Sequence, residues 1–238
     1  MSPKLFENRK VRVRLTQIDG ALPNLALMKL SHWFKSEGHE VYFTRSLEPE
    51  AGEQPYDVVL GSSIFEFSDR RRERFESIWP VAIIGGTGTD NNYTVERLIG
   101  SEYEQYDYAG YPDFQESIGF AARGCRLKCK FCVVPAKEGK PRSTNTIADI
   151  WRGEPYPKKL HLLDNDFFGN PDWKDRIAEI RDGNFRICLS QGINVRLIND
   201  ESAAALATIE YRNTKFNARK LYTAWDNIGD EKIFFKGV

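Results

Sequence analysis

Short apolar segments alternate with amphipathic helical ones along most of this chain, and that alternation constrains the fold more than any other feature. Residues 56–61, Tyr-Asp-Val-Val-Leu-Gly, are nearly continuous in apolar side chains, the pattern of a strand covered on both sheet faces. Ahead of them, residues 11–15 and 40–44 read as strands. Between these lies a helix with Pro23 in its first turn, the stripe Ala26, Leu27, Leu30, Trp33 and Phe34, and Gly38 as its left-handed stop. Residues 46–55, rich in Pro, Gly and Glu, read as a loop, and 68–78 as a charged helix whose mixed-sign run Asp69–Arg74 is a solvated face. Residues 80–86 form a fourth strand that enters the turn Gly85-Gly86-Thr87-Gly88-Thr89. That turn has neither the lysine nor the spacing of a P-loop, so a tight strand-to-helix connection is the reading preferred. The order predicts α/β architecture, with a doubly wound parallel sheet over residues 1–110.

Tyrosines, acids, Gly110 and Pro112 break the pattern over residues 101–115. A domain boundary is expected there, with the aromatics sealing one domain against the next. Strands then recur at 116–122, 158–163, 185–190 and 220–226, with helices near 145–152, 172–181 and 200–210 and another opening at Gly229. A chain of 238 residues accommodates two small domains of this kind. No apolar run approaches the roughly 20 residues of a membrane span. Residues 1–8 lack an apolar export core, so no membrane partner and a cytoplasmic location are expected. The formal net charge is zero, so no basic excess indicates a nucleic-acid partner.

Three of the four cysteines, Cys125, Cys129 and Cys132, fall within one short stretch. Clustered free thiols suit a reducing compartment and a soft metal: zinc, copper(I) or iron–sulfur. The spacing C-x3-C-x2-C matches neither recurring zinc-type C-x2-C pairs nor a ferredoxin run, and no fourth cysteine is near. Three thiolates on a four-iron cubane leave one iron open to a small molecule. The competing reading is a non-catalytic zinc-binding module, completed by Cys188 or His161. Both of those sit inside apolar strands, where a core role suits them better.

With Phe131 immediately before the last cysteine, the stretch resembles the signature of the radical S-adenosylmethionine (radical SAM) enzymes. The resemblance implies that Cys125, Cys129 and Cys132 hold a [4Fe–4S] cluster, and that S-adenosylmethionine is cleaved to a 5′-deoxyadenosyl radical. A one-electron reductant of the flavodoxin or ferredoxin type would drive the cleavage, and the substrate is left open. It places Phe131 and Val133 near the adenine, and the strand ends Asp164, Asn165 and Asp166 where the ammonium would bind. Gln191 and Asn194 would meet ribose hydroxyls, Arg196 would fork onto the methionine carboxylate, and Asp226 would end the fourth strand within reach. The implied fold for residues 116–238 is the first four β/α units of an incomplete (β/α)6 partial barrel, with the chain ending before the rest.

The N-terminal sheet in turn resembles the cobalamin-binding domains of one radical SAM class, at Asp19–Asn24, Ser62-Ser63-Ile64 and Gly85-Gly86. The cobalt ligand of that family's motif falls on Ala21 and its glycine on Asn24, so weak or no cobalamin binding is expected. A cobalamin-dependent methyltransferase or thiomethyl-type enzyme is the neighbouring alternative.

Overall fold

The computed structural model describes residues 9–89, 93–223, 228–232 and 235, and the chain divides into two compact units, Met1–Phe114 and Gln115–Val238. Each is an α/β unit built on a parallel four-stranded sheet.

In the first unit β1 (Arg12–Gln17), α1 (Leu25–Ser36), β2 (Glu40–Thr44), β3 (Val58–Ser62), α2 (Asp69–Ile78), β4 (Ile83–Gly85) and α3 (Val95–Ile99) follow in that order. The strands are arranged β2-β1-β3-β4. Because side chains alternate across a strand, Val58 and Leu60 join Val13 and Leu15 against Leu27, Leu30 and Phe34 of α1 and Val95 and Ile99 of α3. Val59 faces the other way and packs with Ile84 and with Phe75 of α2. Helices therefore cover both faces, which is why β3 carries no polar alternation.

Pro23, expected in the helix's first turn, instead stands one residue ahead of the N-cap. Asn24 is the N-cap, its side chain accepting the Leu27 N–H at 3.1 Å. At the other end the Gly38 N–H donates to the Lys35 carbonyl and the His39 N–H to that of Phe34. This left-handed cap requires φ near +81° at Gly38, a conformation open to glycine.

The 46–55 loop is fastened from the sheet. Arg14 in β1 is fully buried, pairs with Glu53 at 2.6 Å, and donates to the carbonyls of Ser46 and Glu48. Its guanidinium also lies over the Trp79 ring.

The tyrosine-rich segment, read from sequence as a seal between domains, is committed to the first unit. Tyr103 Oη lies 2.5 Å from His32 Nδ1, and Asp107 accepts from Ser31 Oγ and Lys35 Nζ, so the segment is laid along the polar side of α1. Acids in that segment pair with cations on the helix, a match between distant stretches that local periodicity does not reveal.

The second unit runs β5 (Ser117–Gly119), β6 (Ala122–Arg123), α4 (Val134–Lys137), β7 (Arg142–Ser143), α5 (Ile147–Ile150), β8 (Lys159–Leu162), α6 (Trp173–Asp182), β9 (Arg186–Leu189), α7 (Asp200–Ala207) and β10 (Glu210–Tyr211). Its parallel sheet is ordered β10-β9-β8-β5, and β6 and β7 form a separate antiparallel ribbon. Leu160, Leu162, Ile187 and Leu189 turn toward α5, α6 and α7, meeting Ile150, Ile177, Ile180 and Leu206. On the opposite face Ile118, His161 and Cys188 stand side by side in register, all buried, with Phe216 edge-on to the His161 ring.

The fourth strand differs from expectation. It is Glu210–Tyr211, not residues 220–226, because α7 stops at Ala207 and the chain turns into the ladder at once, the Arg212 N–H donating to the Ile187 carbonyl. Residues 220–223 approach the sheet through the Tyr222 carbonyl, which accepts the Ile193 N–H, the Thr223–Ile193 bridge, and Leu221 packed against the core. Ala224 to Asp226 lie outside the described residues.

Candidate metal and cofactor site

Parallel strands point their C-terminal ends the same way, so whatever follows β5, β8 and β9 gathers at one edge of the sheet, where ligands of open α/β folds bind. The cysteine loop follows β5. Both flanks of that loop are paired, as β6 with β7, which closes residues 124–141 into a bracketed loop. Gly124 opens it at φ +88°, where a side chain would strike the Lys140 carbonyl, and the Cys125 N–H donates to the Gly139 carbonyl at 3.3 Å.

The strand ends expected to contact a cofactor divide into two groups. Those after β8 hold the loop. Asp164 is buried and its carboxylate accepts the N–H groups of Ala121, at 3.3 Å, and Ala122. Burial pushes its carboxyl up to about 7, although those backbone donors pull it down. Asp166 accepts three bonds from one residue: the Arg126 backbone N–H at 3.0 Å and its Nε at 2.8 Å on Oδ2, and its Nη2 at 2.9 Å on Oδ1. Asn165 donates to Glu138 at 3.3 Å. Asp164 and Asp166, read from sequence as ammonium partners at a strand end, are thus turned onto the loop's own backbone and guanidinium. Buried carboxylates beside unpaired N–H groups satisfy those first.

Of the residues after β9, Arg196 reaches a thiol. Asn194 caps the turn, its Oδ1 accepting from the N–H and Nε of Arg196. Nη2 of Arg196 lies 3.9 Å from Cys129 Sγ, and Nη1 pairs with Asp230 at 3.2 Å. Gln191 is exposed. Phe131 and Val133 are exposed on the loop, Phe131 to 72%. Asp226 lies outside the described residues.

All three clustered cysteines are half-buried. Burial raises the Cys125 thiol above its ordinary value, while the Leu127 N–H donated to its Sγ at 3.4 Å acts against that rise. The Cys132 N–H turns back to the Cys129 carbonyl. Cys188 is buried within its strand, its thiol pushed up to about 11 by burial alone.

A single zinc ion sets a tight limit on thiol spacing. One tetrahedral zinc with Zn–S near 2.3 Å gathers sulfurs to about 3.8 Å of one another. Among the described residues the only three-ligand group with all donor atoms within 4.8 Å is Glu96, Glu102 and Glu104, so the three sulfurs are spread more widely than that. Neither Cys188 nor His161 joins a compact ligand group with them.

Sequence reasoning missed Arg126, Glu138 and Asp230. Arg126 carried one available signal, a cation beside the first cysteine. Glu138 carried none: it accepts the Gly124 N–H at 2.9 Å and pairs with Arg123 at 2.9 Å only because the loop folds back on itself.

Compared with known proteins, the chain matches no family model and no curated sequence, so its own residues carry the functional reading.

Proposed function

We propose that this chain is a radical SAM enzyme that holds a [4Fe–4S] cluster on Cys125, Cys129 and Cys132. The observation that carries this reading is the thiol arrangement. One loop presents three half-exposed cysteines at spacing C-x3-C-x2-C at the C-terminal edge of a parallel sheet, while the fourth cysteine is sealed in the core. When bound and reduced by one electron, the cluster supplies the electron that breaks the sulfonium C–S bond of S-adenosylmethionine, giving methionine and a 5′-deoxyadenosyl radical.

The chain's own residues position and shield. Phe131 and Val133 offer an apolar surface for the adenine beside the last ligand. Asn165 and Gln191 are the polar groups left for ribose and ammonium, because Asp164 and Asp166 are spent on the loop. Arg196, with Nε on Asn194 and Nη1 on Asp230, offers Nη2 to the methionine carboxylate or to Cys129. The electron comes from a carrier of the flavodoxin or ferredoxin type. At the finer level, we propose a flavodoxin-like sheet followed by units of a radical SAM partial barrel.

Cobalamin is not part of the proposal. The position that would ligate cobalt is Ala21. Asp19 beside it already accepts from Ser63 Oγ and from the N–H groups of Ile64 and Phe65.

Anaerobic reconstitution with iron and sulfide tests the reading. About four irons per chain and the brown cluster absorption are expected, lost in any of C125A, C129A or C132A and kept in C188A. A colourless protein with stoichiometric zinc would establish the zinc-binding module instead, and loss of iron in C188A would defeat the open-iron argument.

A further inference from the structure

The loop is not held uniformly. Around Cys125 the backbone is fixed at Gly124 by Glu138, at Cys125 by the Gly139 carbonyl, and at Arg126 by Asp166. Asp166 is itself anchored, since the turn it opens, Phe167–Gly169, places Phe167 and Phe168 in the core, and its side chain is 6% exposed. The fit is close enough that a methyl group added at Gly169 would strike Asp166 Oδ2 and press on Arg126 Nε. Cys129 and Cys132 have no such fastening to a strand end among the described residues: their bonds there are the turn between them and the long contact to Arg196.

We infer that Asp166 is a positioning residue, which through Arg126 presets Cys125 as the fixed ligand onto which the more exposed limb bearing Cys129 and Cys132 closes. This deepens the cluster reading and rests on it for what the geometry serves. The physical basis is that a forked, charge-assisted pair with a backbone N–H added fixes both position and direction, where a single charge fixes neither. A ligand preset in this way reduces the ordering that metal binding must impose on the loop.

The test is the iodoacetamide alkylation rate of each thiol in the metal-free full-length protein, read by peptide mass spectrometry, together with iron retained after reconstitution. In the unaltered chain Cys125 reacts slowest of the three loop thiols, Cys188 being sealed in the core. Losing the clamp raises its local opening, and so its rate, about tenfold, the equivalent of about 1.4 kcal/mol of charge-assisted bonding, while Cys129 and Cys132 change less than twofold. Three variants separate position from charge. D166N removes an anion near the thiol, R126Q removes a cation, and G169A displaces the carboxylate with both charges intact. Positioning predicts faster Cys125 alkylation and lower iron retention in all three.

If charge alone mattered, R126Q would slow alkylation where D166N speeds it, and G169A would do nothing; that pattern overturns the inference. So does an unchanged rate in all three, or equal acceleration of all three thiols with a lowered melting temperature, which would mark global loosening. Faster Cys125 alkylation with full iron retention would overturn the role in loading. Because the alkylation arm needs no cluster, failure of the clamp and failure of the cluster reading are told apart.

Discussion

The two parallel sheets end in different ways, although each brings the loops after its strands to one edge. At the end of the first sheet the polar groups satisfy one another. Gln17 donates to the carbonyls of Asp19, Gly20 and Leu22 and accepts from Tyr111, Tyr111 accepts from the Asn24 N–H, and Asn24 donates to Ser62. The glycine turn spends its amides inward, with the Gly88 N–H on the Ser63 carbonyl and the Thr89 N–H on that of Gly86. At the end of the second sheet the anions are spent on holding a loop, and what the loop presents is three thiols. Shared architecture supplies a place for a site, and the groups left over after internal satisfaction decide whether chemistry occurs there.

The sharpest way to break this contrast is a matched pair of glycine substitutions. Gly86 at φ +115° and Gly124 at φ +88° each lie where a methyl group would hit a carbonyl oxygen, of Ser63 and Lys140 respectively. G86A should cost more than about 3 kcal/mol of unfolding free energy, since backbone strain of about 1–3 kcal/mol adds to the clash, and should leave iron per folded molecule unchanged. G124A should strain a loop flank and abolish iron retention. Denaturant unfolding with iron analysis reads both, and full iron in G124A would show that the thiols need no preset loop.

A pH series is the next largest effect. Burial holds Asp164 protonated up to about 7, whereas in the unfolded chain it titrates near the ordinary value of about 3.9. Between those values the folded chain keeps a proton that the unfolded chain releases. The stabilisation from this group is therefore full below about pH 4 and lost as pH rises toward 7, at up to about 1.4 kcal/mol per pH unit. D164N has no such proton. The stability gap between wild type and D164N should be widest near pH 4 and shrink toward pH 7 in urea titrations, and a constant or widening gap would refute the buried acid.

Much of this was legible in sequence and some of it could not be. Strand β2 falls at the expected residues and β3 within two of them, because runs such as Val58–Ser62 are apolar on both faces and bounded by loop-forming residues. The fourth strand of the second sheet was misplaced because Leu206 and Ile209 continue a helical spacing past the point where the chain leaves α7, and a two-residue strand leaves almost no periodic trace. At the site, cysteine spacing is a local signal and was read. The roles of Asp164 and Asp166 were not, since a carboxylate at a strand end reads the same whether it awaits a ligand or a backbone N–H forty residues away. The tyrosine segment's partners in the first unit were equally hidden, being cations and hydroxyls on a helix some seventy residues back.

The smallest expected effect probes the self-satisfied sheet end directly. Tyr111 both gives and receives across the loops there, donating to Gln17 Oε1 at 2.6 Å and accepting from the Asn24 N–H at 2.8 Å. Burial pushes its hydroxyl up to about 12, so it remains a donor throughout the working pH range. Y111F keeps the ring against Phe43 and removes only the oxygen, leaving a buried N–H and a buried amide oxygen unsatisfied at a cost of about 1–3 kcal/mol. The N-cap of α1 should loosen with it, because the Asn24 N–H that loses its acceptor belongs to the residue capping that helix. Hydrogen exchange at Leu27 and Met28 should accelerate while iron retention stays unchanged. If instead Y111F matched wild type in stability, water would be replacing the hydroxyl, and the first sheet's end would not be sealed by its own polar groups.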